Sequence, residues 1–382
     1  MTRSTGGMVR QHPARGLWEA RYTGADGKRH SLYAKTRREV QERLRAALTD
    51  ADHGIRPIGN RTTVAAYLDD WLASSVRLRV RPRTADSYAE TVERYIKPAI
   101  GRQPLAKLTP EHVARMLADL TVRETKRGRL SPTTIRYAYT VLRIALGRAL
   151  KSGKVLRNVA TLVDPPAKST PEMHPPTVEQ VSQLLAATWD DRMGPLYVLA
   201  ATSGLRQGET LALRWSDVDL EAATVTVRHT LERGTRALAE PKTDRARRTV
   251  HISGSTVAVL REHRRGQLVE RLAAGPRWRD AELVFTTRDG GPLHARNVLA
   301  AYHAALEGAG LPRFRWHDLR HWWATAQLEA GEDLFIVSRA LGHADITTTA
   351  NIYAHLTPAM LRRSADRMDA ILGRRETSRG SL

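Results

Sequence analysis

The sequence contains no cysteine. That absence excludes a disulfide scaffold, a Cys-ligated zinc or iron–sulfur centre and a thiol nucleophile. No apolar run approaches the roughly 20 residues of a membrane span. The first residues, MTRSTGGMVRQHPARG, lack the apolar stretch of a secretory signal. The expectation is a soluble protein of the cell interior with no membrane partner. Lysine is scarce as well, supplying only nine of the 61 basic side chains.

Positive charge, by contrast, is in excess. Lys and Arg number 61 against 40 Asp and Glu over 382 residues, a formal net charge of +21. Such a length suggests two or three domains at roughly 100–200 residues each. The charge points to a polyanionic partner, nucleic acid before membrane. It is unevenly spread: 12 basic and 6 acidic residues lie in 1–60, 21 and 9 in 61–170, and 28 and 25 in 171–382. The middle segment is therefore the expected electrostatic platform for phosphates.

Three regions follow from the patterning. In 16–35, LWEARYT and HSLYAKT flank the turn residues Gly24-Ala25-Asp26-Gly27, and RREVQERLRAALTDA then places Val40, Leu44 and Leu48 on one helical face. After a Gly/Pro/Asn linker at 53–60, the chain reads as all-helical from Thr62 to about Asn158, with Ser131-Pro132 as a helix start. The five prolines of 162–177 mark an extended connector. Beyond it lies a mixed, mainly helical α+β region. Strands are expected in ATVTVRHTLE and RRTVHIS, helices around 253–272, 295–309, 317–330, 333–341 and 345–355, and a last amphipathic helix over 357–372. The domains so drawn are 1–56, 62–165 and 172–382.

Two chemical readings lack residues that they need. Gly147 to Val155 resembles a phosphate-binding loop, but it is one residue too long and has Val155 where a Ser or Thr should stand. His317 and His321 in HDLRH have the i, i+4 spacing of metal ligands, yet no Glu follows His317 and no carboxylate cluster converges. No metal or other cofactor is expected. Arg206 in TSGLRQGE and Arg320 in HDLRH promise more. Two guanidiniums can clamp the oxygens of one phosphate and neutralise charge that grows during phosphoryl transfer. His317, His343 and Tyr353 fall in short polar motifs of the same region, HDLRH, LGH and NIYAHL.

In this order and spacing, these motifs resemble those of the tyrosine recombinase (phage integrase) family. The resemblance covers about 178–370, extends more loosely over TTIRYAYTVLRIALGRALKSGKV, and makes the first 55 residues look like a three-strand-plus-helix arm-binding domain. It implies a site-specific recombinase, or integrase, of a phage or integrative mobile element. Arg206 matches the first catalytic arginine, with Glu209 supporting it. Lys242 matches the β-hairpin lysine, His317 and Arg320 the His-x-x-Arg pair, His343 the later His/Trp position and Tyr353 the nucleophile. Implied partners are double-stranded attachment-site DNA at core and arm sites, and three further protomers in a tetramer on that DNA. A host DNA-bending protein and an excision factor belong to the same picture, set at the nucleoid of a bacterial cytoplasm. The 358–372 helix would dock on a neighbouring protomer or pack in cis. Two departures from the family pattern are Trp322-Trp323 and Asn158-Val159, where Asn-Pro is frequent.

The residue chemistry points the same way. A Tyr hydroxyl, with a pKa near 10, becomes a useful nucleophile when cations stabilise its phenolate. Attack on a phosphodiester gives a phosphotyrosine that keeps the energy of the broken bond, so rejoining needs no ATP. Three alternatives differ in what they would do: a type IB topoisomerase relaxing any supercoiled DNA, a regulator that binds without forming an adduct, and a metal-dependent nuclease. Tyr302 and Tyr197 are the next tyrosines in line if Tyr353 is not the nucleophile.

Overall fold

The computed structural model describes residues 8–13, 16–24, 27–52, 62–126, 128–167, 175–232, 237–240, 247–343, 345–353 and 368. The chain divides into two compact units, Met1–Glu172 and Met173–Leu382.

In the first unit, β1 (Met8–Gln11), β2 (Trp18–Thr23) and β3 (Arg29–Ala34) form an antiparallel meander with β2 in the centre, followed by α1 (Arg37–Asp52). The hairpin gains a third strand because Met8–Gln11 pairs with Trp18–Arg21. Period-2 alternation turns Ala20 and Tyr22 toward Val40 and Leu44 of α1, closing a small core. Glu19 points the other way. Its covered carboxylate accepts bonds from Arg21 Nε (2.9 Å), Arg10 Nε (2.8 Å) and the Tyr33 hydroxyl (3.1 Å), and these donors, Arg21 foremost, hold it down to about 2.

The helical part follows. α2 (Val64–Trp71) passes through a π turn (Leu72–Val76) into α3 (Arg77–Arg79), and α4 (Pro82–Thr91) through a second π turn (Val92–Ile96) into α5 (Lys97–Ile100). α6 (Pro110–Val122) and α7 (Pro132–Lys151) complete the bundle around Leu68, Ile96, Met116 and Leu142. Ser131 caps α7 as its sequence suggests, accepting from Thr134 N at 3.2 Å with Pro132 in the first turn. The all-helical expectation needs one correction: β4 (Glu124–Thr125) and β5 (Gly128–Arg129) pair as a short ribbon. This polar run has no apolar face to bury, and Gly128 at φ +91° supplies the turn conformation. At the departure Asn158-Val159, Asn158 accepts from Ala160 N (3.1 Å) and donates to the Arg143 carbonyl (2.9 Å), so it caps its turn without a proline.

The second unit runs α8 (Val178–Ala187), α9 (Gly194–Ser203), α10 (Gln207–Leu211), β6 (Val218–Asp219), β7 (Thr224–Val227), β8 (Thr230–Leu231), β9 (Leu238–Ala239), β10 (Arg248–His251), α11 (Gly254–Ala274), α12 (Ala295–Gly308), α13 (Trp316–Glu329), α14 (Leu334–Leu341) and α15 (Ile346–Tyr353). One antiparallel sheet has the order β10-β7-β6, and β8-β9 forms a separate hairpin. The expected mixed, mainly helical class is observed. The core includes Leu196, Leu199, Val225, Leu260 and Leu306. Tyr197 and Tyr302 lie in it with no exposure, their rings 5.7 Å apart and their hydroxyls without a hydrogen-bond partner. Burial raises both pKa values, so neither is available as an alternative nucleophile. The 357–372 helix expected from the sequence lies outside the described residues apart from Met368. No helix among the described residues is long and apolar enough to cross a membrane.

Candidate active site

Helix α9 ends at Gly204 in the left-handed region (φ +64°), where a Cβ would also come within 2.7 Å of the Trp323 ring. Glycine is required there on both counts. One departure from the family pattern thus has a concrete role, since Trp323 fills the space over Gly204. The chain then enters α10 with Arg206 at its N-cap. Glu209, in the first turn of α10, accepts from the Arg206 backbone N–H (2.9 Å) and from its guanidinium (2.8 Å). On the other side Glu209 accepts from Arg248 Nη2 at 2.9 Å. Burial alone would raise the Glu209 carboxyl, but the hydrogen bond and charge of Arg248, aided by Arg206, hold it at about 2. Glu209 is therefore an anion pinning two arginines.

Arg248 is a site residue that sequence reasoning missed. Strand alternation was the available signal: Val250 faces the core, and Arg248 two residues earlier shares its side. Its guanidinium, almost fully covered, also donates through Nε to the Ala340 carbonyl near the end of α14. The β10 strand is thereby tied both to the Arg206 turn and to the segment leading into His343.

Arg320 is buried on α13 and spans two helix ends. Nη1 donates to the Gly204 carbonyl (2.7 Å) and Nη2 to the Leu341 carbonyl (2.6 Å). The two carbonyls each precede a site residue by two positions, Arg206 in one case and His343 in the other. Both helices, α9 and α14, end in a left-handed glycine, Gly204 and Gly342. Their C-terminal dipoles favour the cation held between them. One guanidinium thus fixes the two turns that present Arg206 and His343. At the start of α13, Asp318 accepts from Arg315 N at 2.7 Å and fixes the helix entry next to His317.

The two histidines share this electrostatic setting. His317 keeps exposed surface, but partial desolvation disfavours its charged form, and His321, Arg320 and Arg206 add to that effect against Asp318. Its pKa falls to about 4. The neighbouring His321 ring meets it edge to face at 4.7 Å. Half-buried His343 is also pushed down to about 4, by desolvation first and then by Arg320, Arg206 and Arg248. Both rings are neutral at pH 7, each able to donate one N–H and accept at the other nitrogen.

A stability consequence has a definite sign. Between pH 6.5 and pH 4 the unfolded chain takes up protons that folded His317 and His343 refuse, so stability is lost as pH falls through that window. Replacing His343 by Asn removes one of these groups. The drop in Tm between about pH 7 and pH 5 should be smaller in the variant than in the wild type. Equal drops in calorimetry would refute the depressed pKa.

Of the seven residues singled out in the sequence, Arg206, Glu209, His317, Arg320 and His343 are thus brought into one neighbourhood. Tyr353 is the last residue of α15, in the short helix that follows His343. Lys242 lies outside the described residues.

Residues 176–360 match the family model described as "Phage integrase family", and residues 63–120 match "Phage integrase, N-terminal SAM-like domain". The chain is 31% identical to a "Tyrosine recombinase XerC-like" protein of Caldanaerobacter subterraneus subsp. tengcongensis, over 86% of this chain and 88% of that protein. It is 30% identical to an "Integrase" of Streptomyces ambofaciens, over 89% and 88% respectively. Among solved structures, the Tn1549 transposon integrase in complex with a circular intermediate DNA superposes with a TM-score of 0.65 at 21% identity, covering 80% of this chain and 99% of that one.

Proposed function

Because this chain belongs to the phage integrase family of tyrosine recombinases, we propose that its cluster of Arg206, His317, Arg320 and His343 grips a DNA phosphate for attack by Tyr353. The protein is a site-specific DNA recombinase of the kind carried by phages and mobile elements. In the family's reaction the tyrosine Oη bonds to phosphorus, the bond from phosphorus to O5′ breaks, and O5′ leaves with a proton. The 3′-phosphotyrosine is later attacked by a 5′ hydroxyl of another strand, which returns the proton to the tyrosine.

The observation that carries the reading is Arg320 pinning both the Arg206 and His343 turns. It ties the turns that carry Arg206 and His343 to the helix that carries His317, with α15 next in the chain. Guanidiniums bind the non-bridging oxygens and neutralise charge as it grows. His317, neutral at pH 7, can take the proton of the Tyr353 hydroxyl as it attacks. Glu209 keeps the Arg206 side chain oriented. The domains are assigned as an arm-site reader at 1–56, a core-site-binding bundle at 62–165 and the catalytic domain at 172–382. Exchange between two duplex sites breaks four strands, one nucleophile each, so the working assembly is a tetramer on double-stranded DNA in the bacterial cytoplasm. A DNA-bending host protein and an excision factor would act on the same complex.

The test is covalent capture. Nicked duplexes with a randomised core are incubated with the full chain, and adducts that survive detergent are recovered and sequenced. Enrichment of a defined core with a 3′ attachment is the expected result. Adducts that form on any sequence would favour a topoisomerase, and none at all would refute the reading.

Lys242 is the only lysine after Lys168, and we assign it the proton for the departing O5′. Lysine can give up a proton when neighbouring cations lower its pKa, whereas arginine effectively cannot. Lys242→Arg should therefore slow cleavage by about 10²–10⁴-fold with DNA affinity unchanged. A 5′ bridging sulfur, a better leaving group, should restore most of the rate. Full-speed cleavage of ordinary DNA by the Arg variant would remove Lys242 from this role.

A further inference from the structure

Thr349 was not among the residues the motifs singled out, yet it sits at the junction of two of them. Asp345 caps α15 by accepting from Thr347 N at 2.9 Å, so the nucleophile helix starts within three residues of His343. Thr349 lies in the middle of that helix with no solvent exposure. Its hydroxyl is 2.7 Å from Nδ1 of His343. Tyr353 follows four residues later, at the end of the same helix. A hydroxyl in a helix usually bonds its own backbone; this one reaches the imidazole instead.

We propose that Thr349 is a positioning residue for strand cleavage. Its hydroxyl donates to Nδ1 of His343, keeps the ring proton on Nε2, and ties that ring to the helix carrying Tyr353. The proposal rests on the reading of His343 and Tyr353 given above. A neutral imidazole has one donor and one acceptor nitrogen, and the bond made by one nitrogen decides which form the other takes. With Nδ1 occupied as acceptor, Nε2–H is the group left to meet a phosphate oxygen. A donor suits that edge, because the positive charges of Arg320, Arg206 and Arg248 all bear on the ring and a bound anion would balance them. The same bond couples two parts of the site mechanically. When α15 is seated, His343 is oriented; when α15 is displaced, the ring is free to rotate and to change tautomer.

The experiment uses the full chain and a duplex recovered by covalent capture. Thr349→Val removes the hydroxyl at nearly constant volume, and Thr349→Ser keeps it. Single-turnover adduct formation should fall about 10–100-fold in the Val variant, the scale of a small misplacement in an active site. The Ser variant should recover most of that loss. In a His343→Ala background, adding Thr349→Val should cause no further slowing, because the hydroxyl would have nothing left to orient. Equal slowing in both backgrounds, or a Val variant as fast as the wild type, overturns the proposal. Nitrogen-15 shifts of His343 in histidine-labelled protein give a second readout that needs no cleavage. They should report a single Nε2–H tautomer in the wild type and the Ser variant, and a mixture in the Val variant; one unchanged tautomer throughout also overturns it. A wild-type chain that forms no adduct would instead refute the recombinase site, with the nitrogen shifts still judging Thr349.

Discussion

Replacing Tyr353 by phenylalanine should leave a protein that folds and binds the captured duplex as before but forms no covalent adduct. The change deletes one hydroxyl at the end of α15 and leaves the helix and its caps in place. The expected loss exceeds about 10⁴-fold, as for removal of a nucleophile from a unit that acts together. In the proposed mechanism the loss is so complete because the cation cluster serves a single step, stabilising an attacking phenolate and the five-coordinate phosphorus it creates. Without the oxygen, those cations can only bind. A gel shift measures the binding and a denaturing gel the adduct. An adduct of ordinary yield would place the nucleophile elsewhere, and the obvious substitutes are closed off, since Tyr197 and Tyr302 have no solvent exposure.

Arg320→Ala should be nearly as damaging, and in two separate ways. The lost guanidinium removes charge from the developing transition state, expected to cost about 10²–10³-fold in cleavage. It also strands the Gly204 and Leu341 carbonyls, each unpaired buried group costing about 1–3 kcal/mol. The variant should therefore melt several degrees lower as well as cleave slowly. Arg320→Lys keeps a positive charge, yet one ammonium cannot span both carbonyls with the geometry of a planar fork, so most of both losses should remain. Arg206, with its side chain 38% exposed, provides the contrast. Arg206→Ala should lose cleavage with little change in Tm. If Arg320→Ala melts like the wild type, the carbonyl bridge is not what orders the two turns.

The parts of this site that were legible in the sequence are those whose chemistry needs a rare residue type in a short motif. HDLRH, LGH and NIYAHL each combine polar groups that packing alone would not choose. Arg248 and Thr349 were not legible for the opposite reason. In RRTVHIS and ITTTANIY they are surrounded by residues of their own kind; alternation from Val250 gives the side of the strand on which Arg248 lies, but only the tertiary structure shows that it meets Glu209 and that Thr349 meets His343. The helical bundle was readable from its three- and four-residue apolar spacing. The small ribbon within it was not, since two-residue strands leave no period to detect. The third N-terminal strand was implied by the family resemblance and not by its own residues: MVRQ has a mixed pattern, and its pairing with β2 decides its conformation.

The bridge made by Arg320 also constrains how the enzyme comes into being. It joins the end of α9 to the end of α14, segments far apart in the order of synthesis. A ribosome adds roughly 5–20 residues per second, so for seconds the buried guanidinium has only one of its two anchors to fold around. Contacts this distant in sequence form late, after the loop-closing entropy has been met. Tyr353, the proposed nucleophile, follows the second anchor by a single short helix. A partly made chain therefore carries its basic surface before the helix that bears the proposed nucleophile can take its place.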